Sequence, residues 1–313
     1  MALTHFNKGE KAMKLLIAVF IFACCGQLTE ASESRLNVVA TIQTLADLAR
    51  EVGGDKVNVV SLSKGYMDPH FVEPKPSLVL DLHKADLLIH VGLELEIGWL
   101  PPLILGSRNA KIRQGGDGNF QSSTVIHILK VPTIRVDRSM GDIHPQGNPH
   151  FWIPPKNALA IAKGISDRLK KLQPENKAYF DTLLEQFTQK MAALEKKIEP
   201  QIKKLNGMKV VPYHDSWAYV TDWLKLSEQG FVEIKPGVPP DPAHLVDLIN
   251  QMKQDHVKVI LKETFYNNDI AKTVAEKAGA KVLEMPSDVG ATSDIKTYED
   301  LVNKVISKIS GAL

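Results

Sequence analysis

Only two cysteines occur among the 313 residues, Cys24 and Cys25, and both lie in the first 25 positions. Everything after them is free of thiols, which excludes a disulfide framework and a thiolate metal site. No strong charge of one sign is present either. The 38 Lys and Arg balance 36 Asp and Glu to a net +2, so nothing points to nucleic acid or a polyanionic substrate. Long apolar runs are missing. The run 15–25 is shorter than the roughly 20 residues a membrane-spanning helix needs, and no later stretch reaches that length. There is no His-Glu-x-x-His, no Gly-x-Ser-x-Gly elbow and no phosphate loop, so the chain is not expected to be an enzyme. A zinc-dependent hydrolase stays as a remote alternative, because catalytic zinc needs an open position and a nearby base. No repeat, stalk or anchor pattern supports an adhesin.

What is present begins with an export signal. Lys8, Lys11 and Lys14 precede the short apolar run, and Thr29-Glu30-Ala31 places small residues at a cleavage position. Residues 1–31 therefore read as a secretory signal peptide, with Met13 as an alternative start. The competing reading is lipidation at Cys24 or Cys25, although bulky Phe22 makes Ile21-Phe22-Ala23 a poor lipidation signal. Either way the protein belongs in the periplasm or on the extracytoplasmic face.

The rest alternates strand-like and helix-like segments. Strands are predicted at 36–40, 57–62 and 86–91, with helices at 44–52 and 77–84 between them; this rhythm implies a mostly parallel sheet covered by helices. Glycine- and proline-rich loops dominate 109–155. A helix follows at 156–172. From Pro174 to Leu205, Phe180, Leu183, Leu184, Phe187, Met191, Leu194, Ile198 and Ile202 recur at spacings of three and four, the pattern of one long helix. Pro174 suits its first turn, and Pro200 is expected to kink or end it early. The rhythm then resumes, with strands at 208–212, 230–234, 257–261 and 281–285 and helices at 215–224, 243–253, 268–278 and 298–309. The expected fold is α/β, with two lobes of mostly parallel sheet joined by one long helix. The domains are a 35–173 N-terminal lobe, a 174–206 helix and a 207–313 C-terminal lobe. A ligand is expected in the cleft outside the strand C-termini.

Three histidines sit in loops stiffened by proline: Asp68-Pro69-His70, Asn148-Pro149-His150 and Pro212-Tyr213-His214. Imidazole is a common ligand for zinc and other late transition metals, and proline lowers the entropy lost on fixing it. Glu73 is expected to orient His70, or else to be surface charge. His144 is expected beside the site or in solvent rather than on the metal. Asp215 reads as the N-cap of the helix after His214.

These three segments, in this order and with the long helix, resemble the histidine motifs of the cluster A-I solute-binding proteins of metal ABC transporters. The resemblance spans about 36–313. It implies two Rossmann-like lobes of four-stranded sheets, with a divalent metal buried between them. His70 and His150 would come from the N-terminal lobe and His214 from the C-terminal lobe. In the family's manganese branch a Glu usually stands at the His214 position, so zinc is the expected metal, with Mn2+ or Fe2+ as alternatives. For the fourth ligand the family places an Asp after the penultimate strand. Met285-Pro286-Ser287-Asp288 departs from the usual pattern, which leaves Asp288 as the expected ligand, Glu263 as its alternative and water as a third. The histidine-rich loop common in the zinc branch is reduced here to His127 and His144. The implied partner is an ABC permease, with the protein a monomer and no nucleic acid involved.

Overall fold

The computed structural model describes residues 1, 35–134, 144–234 and 237–313. Residues 2–34, which hold most of the expected export segment with Cys24 and Cys25, lie outside the described residues.

Strand β1 (Leu36–Ala40) reads Leu-Asn-Val-Val-Ala and is buried along nearly its whole length, as expected of a central parallel strand covered on both faces. It pairs in parallel with β2 (Val57–Ser61) and β3 (Leu87–His90), and β3 pairs with β4 (Asn119–Gln121). The order β2-β1-β3-β4 is repeated in the second half, where β5 (Lys209–Pro212), β6 (Ser227–Glu228), β7 (Val259–Glu263) and β8 (Lys281–Met285) align as β6-β5-β7-β8, again parallel. Parallel neighbours require crossovers. The helices α1 (Gln43–Gly53), α2 (Pro76–Lys84) and α3 (Leu100–Ser107) belong to the first half. There follow α4 (Pro155–Leu172) and α5 (Lys177–Leu205), then α6 (Ala218–Leu224), α7 (Pro242–Gln254), α8 (Asn268–Ala278) and α9 (Tyr298–Ser310).

Helix α5 has 29 residues, about 44 Å at 1.5 Å per residue. Its buried stripe of Phe180, Phe187, Met191, Leu194 and Ile198 shares one apolar core with Val38 and Leu87 of the first sheet and Val210 and Leu261 of the second. Each sheet carries a smaller core on its other face. Val39 and Leu88 pack with Leu82, Leu100 and Leu103, while Val211 and Ile260 pack with Leu248, Ala271 and Val274. No helix among the described residues is long and apolar enough to cross a membrane.

Several expectations change. Pro174 opens a separate 3-10 turn, Pro174–Asn176, before α5 starts at Lys177. Pro200 does not end α5: it lies on the exposed face, and so does Lys196, the residue whose carbonyl loses its helical N–H partner. Residues 230–234 are not a strand. Gly230 takes φ +100°, which breaks the extended run, so β6 is the shorter Ser227–Glu228. Beyond the break the N–H groups of Val232 and Glu233 still donate to the carbonyls of Pro212 and Tyr213, at 3.1 and 2.8 Å. Elements α3 and β4 fall where proline, glycine and shortness leave no periodic signal. Asp215 does not cap α6, which begins after Trp217; its carboxylate pairs with Lys130 Nζ at 2.5 Å.

Candidate metal centre

All three motif histidines lie in loops at the C-terminal ends of parallel strands, where open α/β sheets bind their ligands. His70 is in the loop between β2 and α2. The Trp99 indole donates to the Pro69 carbonyl at 2.9 Å and pins this loop. Asp68 Oδ1 accepts from the His70 backbone N–H at 3.0 Å and meets His70 Nδ1 at 2.7 Å. A carboxylate there holds the proton on Nδ1 and leaves Nε2 with its lone pair outward, as carboxylates do for metal-bound imidazoles. Burial works against ionising Asp68, but its hydrogen bonds from His70 and the electrostatic pull of that ring hold its carboxyl below the usual range.

His150 precedes α4. Asn148 Oδ1 accepts from the His150 N–H at 3.0 Å, Asn148 Nδ2 donates to the Asp215 carbonyl at 2.5 Å, and the Tyr219 hydroxyl donates to the Asn148 carbonyl at 2.9 Å. One asparagine therefore ties the His150 loop to the segment that follows His214. His214 itself comes two residues after β5, and its Nδ1 is 4.0 Å from Glu233 Oε1, too far for a hydrogen bond.

The rings of His70, His150 and His214 have centroids 5.1 to 5.7 Å apart. One nitrogen from each falls within 4.8 Å of the other two. A tetrahedral zinc with Zn–N of about 2.0–2.1 Å needs ligand atoms about 3.4 Å apart, which small side-chain shifts supply. Nε2 of His70, Nε2 of His150 and Nδ1 of His214 are buried with no hydrogen-bond partner, unusual for native polar atoms unless a ligand is meant to take them. Burial, then the neighbouring His70 ring, pushes His150 well below its ordinary value and His214 down to about 3. These imidazoles are neutral, as metal ligation requires. A cleft of about 250 Å3 is lined by His70 and His214 together with Asp68, Tyr213, Glu233 and Tyr266.

The carboxylates are placed differently from the sequence expectation. Asp288 lies outside the group of close ligand atoms. Its oxygens accept from Gln43 N (3.0 Å), Thr44 N (2.7 Å), Thr44 Oγ1 (2.5 Å) and Val289 N (2.9 Å). Helix α1 has no capping side chain of its own and no acid in its first turn, so Asp288 satisfies its orphan N–H groups from 245 residues away. Burial pushes Asp288 up to about 6, against the pull of those donors. Glu263 ends β7 fully buried, and neither of its oxygens has a partner. Burial pushes it up to about 8, and it too is outside the close group. Glu73 does not orient His70: it is exposed and pairs with Lys75 at 3.2 Å. Asp68 does that work, and the only sequence signal for it was its place two residues before the histidine. His144 stacks on His70, with centroids 5.5 Å apart.

A pH dependence of the metal-free fold follows. The unfolded chain binds protons on His144, His150 and His214 below 6.5, where the folded chain resists them, so stability is lost as pH falls through that value. Glu263 and Asp288 act oppositely: held protonated in the fold above their usual values, they lose stability as pH rises, Asp288 up to about 6 and Glu263 up to about 8. Three imidazoles outweigh two carboxyls on the acid side, and above 6.5 the loss from Glu263 overtakes the fading gain from the imidazoles. Denaturant unfolding at pH 5, 6.5 and 8 should give the highest stability at 6.5; a steady rise to pH 8 would contradict this balance.

The family model described as "ZnuA: Zinc-uptake complex component A periplasmic" matches residues 38–312. The chain is 28% identical over 269 residues to the metal ABC transporter substrate-binding lipoprotein ScbA of Streptococcus cristatus, covering 84% of this chain and 83% of that one. It is 27% identical to the manganese ABC transporter substrate-binding lipoprotein scaA of Streptococcus gordonii, covering 96% of each. A crystal structure of ZnuA superposes with a TM-score of 0.73 at 24% identity, over 89% of this chain and 99% of that one, and confirms the fold. The chain belongs to the periplasmic zinc-uptake component A family and is a solute-binding protein of a metal ABC importer, not an enzyme.

Proposed function

We propose that this protein captures one zinc ion outside the cytoplasm, on His70, His150 and His214, and presents it to the permease of its importer. The observation that carries this reading is the convergence of a ring nitrogen from each of three histidines, in loops of both sheets, where every one of the three rings holds a buried nitrogen without a partner. Residues 35–173 and 207–313 then act as two lobes bridged by the helix region 174–206, and the chain works as a monomer. Export by residues 1–31, with or without an anchor at Cys24 or Cys25, places it where the metal is met.

Zinc is favoured over manganese by donor chemistry. Imidazole nitrogens suit zinc, whereas Mn2+ is better served by hard oxygens, and Asp288, the oxygen the family pattern supplies, is occupied in capping α1. The manganese or iron reading draws on the scaA relative, whose name specifies manganese. Competitive titration of the mature protein with Zn2+, Mn2+ and Fe2+ tests the choice. One equivalent of Zn2+ should bind and displace the others, and a site preferring Mn2+ would overturn it. In the same titration His214→Glu, which replaces nitrogen by oxygen, should move the ranking toward Mn2+; an unchanged ranking would count against His214 as a ligand.

A further inference from the structure

We propose that His144 supplies a fourth imidazole, through Nε2, to the metal held by His70, His150 and His214, making this a four-nitrogen site. The inference rests on the metal-capture reading above and names the remaining ligand of that same site.

Of the nearby carboxylates Glu263 has unpartnered oxygens but lies outside the close group, and three others are committed elsewhere. Asp288 caps α1, Asp68 holds His70 Nδ1, and Glu233 accepts from the Gly237 N–H. His144 is differently disposed. Its ring stacks on His70 at 5.5 Å with 27° between planes, and stands edge-on to His150 at 6.2 Å. One ring nitrogen donates to the Leu93 backbone. The other, Nε2, is buried with no partner, so the donor is Nδ1–H. This repeats the His70 arrangement: Nδ1–H tied to an acceptor, with the Nε2 lone pair left over and buried beside the other ligands. A buried nitrogen of this kind costs free energy unless something takes the lone pair.

The backbone on both sides builds this placement. Leu93 and Glu94 take left-handed φ values of 53° and 65°, in a turn that Glu96 secures by accepting from Val91 N at 2.7 Å and Gly92 N at 3.0 Å. On the other side, Gly147 N donates to the His144 carbonyl at 3.1 Å. Gly147 has φ +108°, and a Cβ there would lie 2.3 Å from Ile128 Cγ2, so only glycine makes this return. The turn brings the chain from His144 to His150 within six residues. Nε2 of His144 stands outside the 4.8 Å group, so it closes on the metal by a movement of its ring.

X-ray absorption at the zinc edge of the loaded protein counts the imidazoles. Four in the wild type and three in His144→Ala are expected, with zinc affinity lowered by about 100-fold or more, beyond the range for losing an outer-shell partner. Unfolding of metal-free His144→Ala at the wild-type denaturant midpoint shows that its fold is intact. Three imidazoles in the wild type would overturn the four-nitrogen site and leave the three-histidine capture site standing. A wild type that takes up no zinc would overturn both.

Discussion

His150→Ala is expected to abolish tight zinc binding and His127→Ala to leave it unchanged. His150 is 6% exposed, its Nε2 is buried without a partner, one of its ring nitrogens is among the converging ligand atoms, and its backbone is fixed by Asn148. The Trp152 indole anchors the Pro149-to-Trp152 loop to the Ser287 carbonyl at 2.6 Å. Removing the His150 ring should weaken zinc by well over the about 10–100-fold that outer-shell partners cost. His127 is exposed and contributes no atom to the cluster. Calorimetric titration of the two variants checks this, and equal losses would sink the site.

Asp288→Ala should damage the fold rather than the metal site. Its carboxylate takes two backbone N–H groups at the start of α1, the Thr44 hydroxyl and the Val289 N–H. Those donors are buried, and alanine would leave them without partners. The cost is on the order of 3 kcal/mol, combining a lost helix cap with unsatisfied buried groups. The same loop is tightly seated elsewhere: a Cβ on Gly65 would lie 1.9 Å from the Val289 carbonyl oxygen, so no shift of 288–290 toward Gly65 can relieve the loss. The denaturant midpoint of the metal-free variant should fall clearly, while zinc affinity under folding conditions stays within about tenfold of wild type, below the loss expected for a ligand. An unchanged midpoint with zinc binding lost would make Asp288 a ligand after all.

Asp288 shows where sequence reading stops. The three histidines could be found because each stands within two residues of a proline in a loop after a strand-like run, a local feature. The long helix and the two βαβ rhythms were equally legible, since periodicity is local too. The duty of Asp288 depends on a partner 245 residues away that lacks its own cap, and no local pattern records that. Asp68 and Glu73 flank His70 at similar distances along the chain, and only the turn at Pro69 decides which one faces the ring. His144 was visible as a histidine near the site, but its free Nε2 follows from the left-handed turn at Leu93 and Glu94. Short elements were missed for a related reason: β4 has three residues and β6 has two, too few for any period to register.

The central claim is that one metal sits among His70, His150 and His214. Anomalous diffraction at the zinc edge from crystals of the zinc-loaded mature protein tests it most directly. The account predicts a single strong peak per chain, about 2.0–2.1 Å from a nitrogen of each of these three rings. A peak elsewhere, or ligation that omits any of the three, would contradict it.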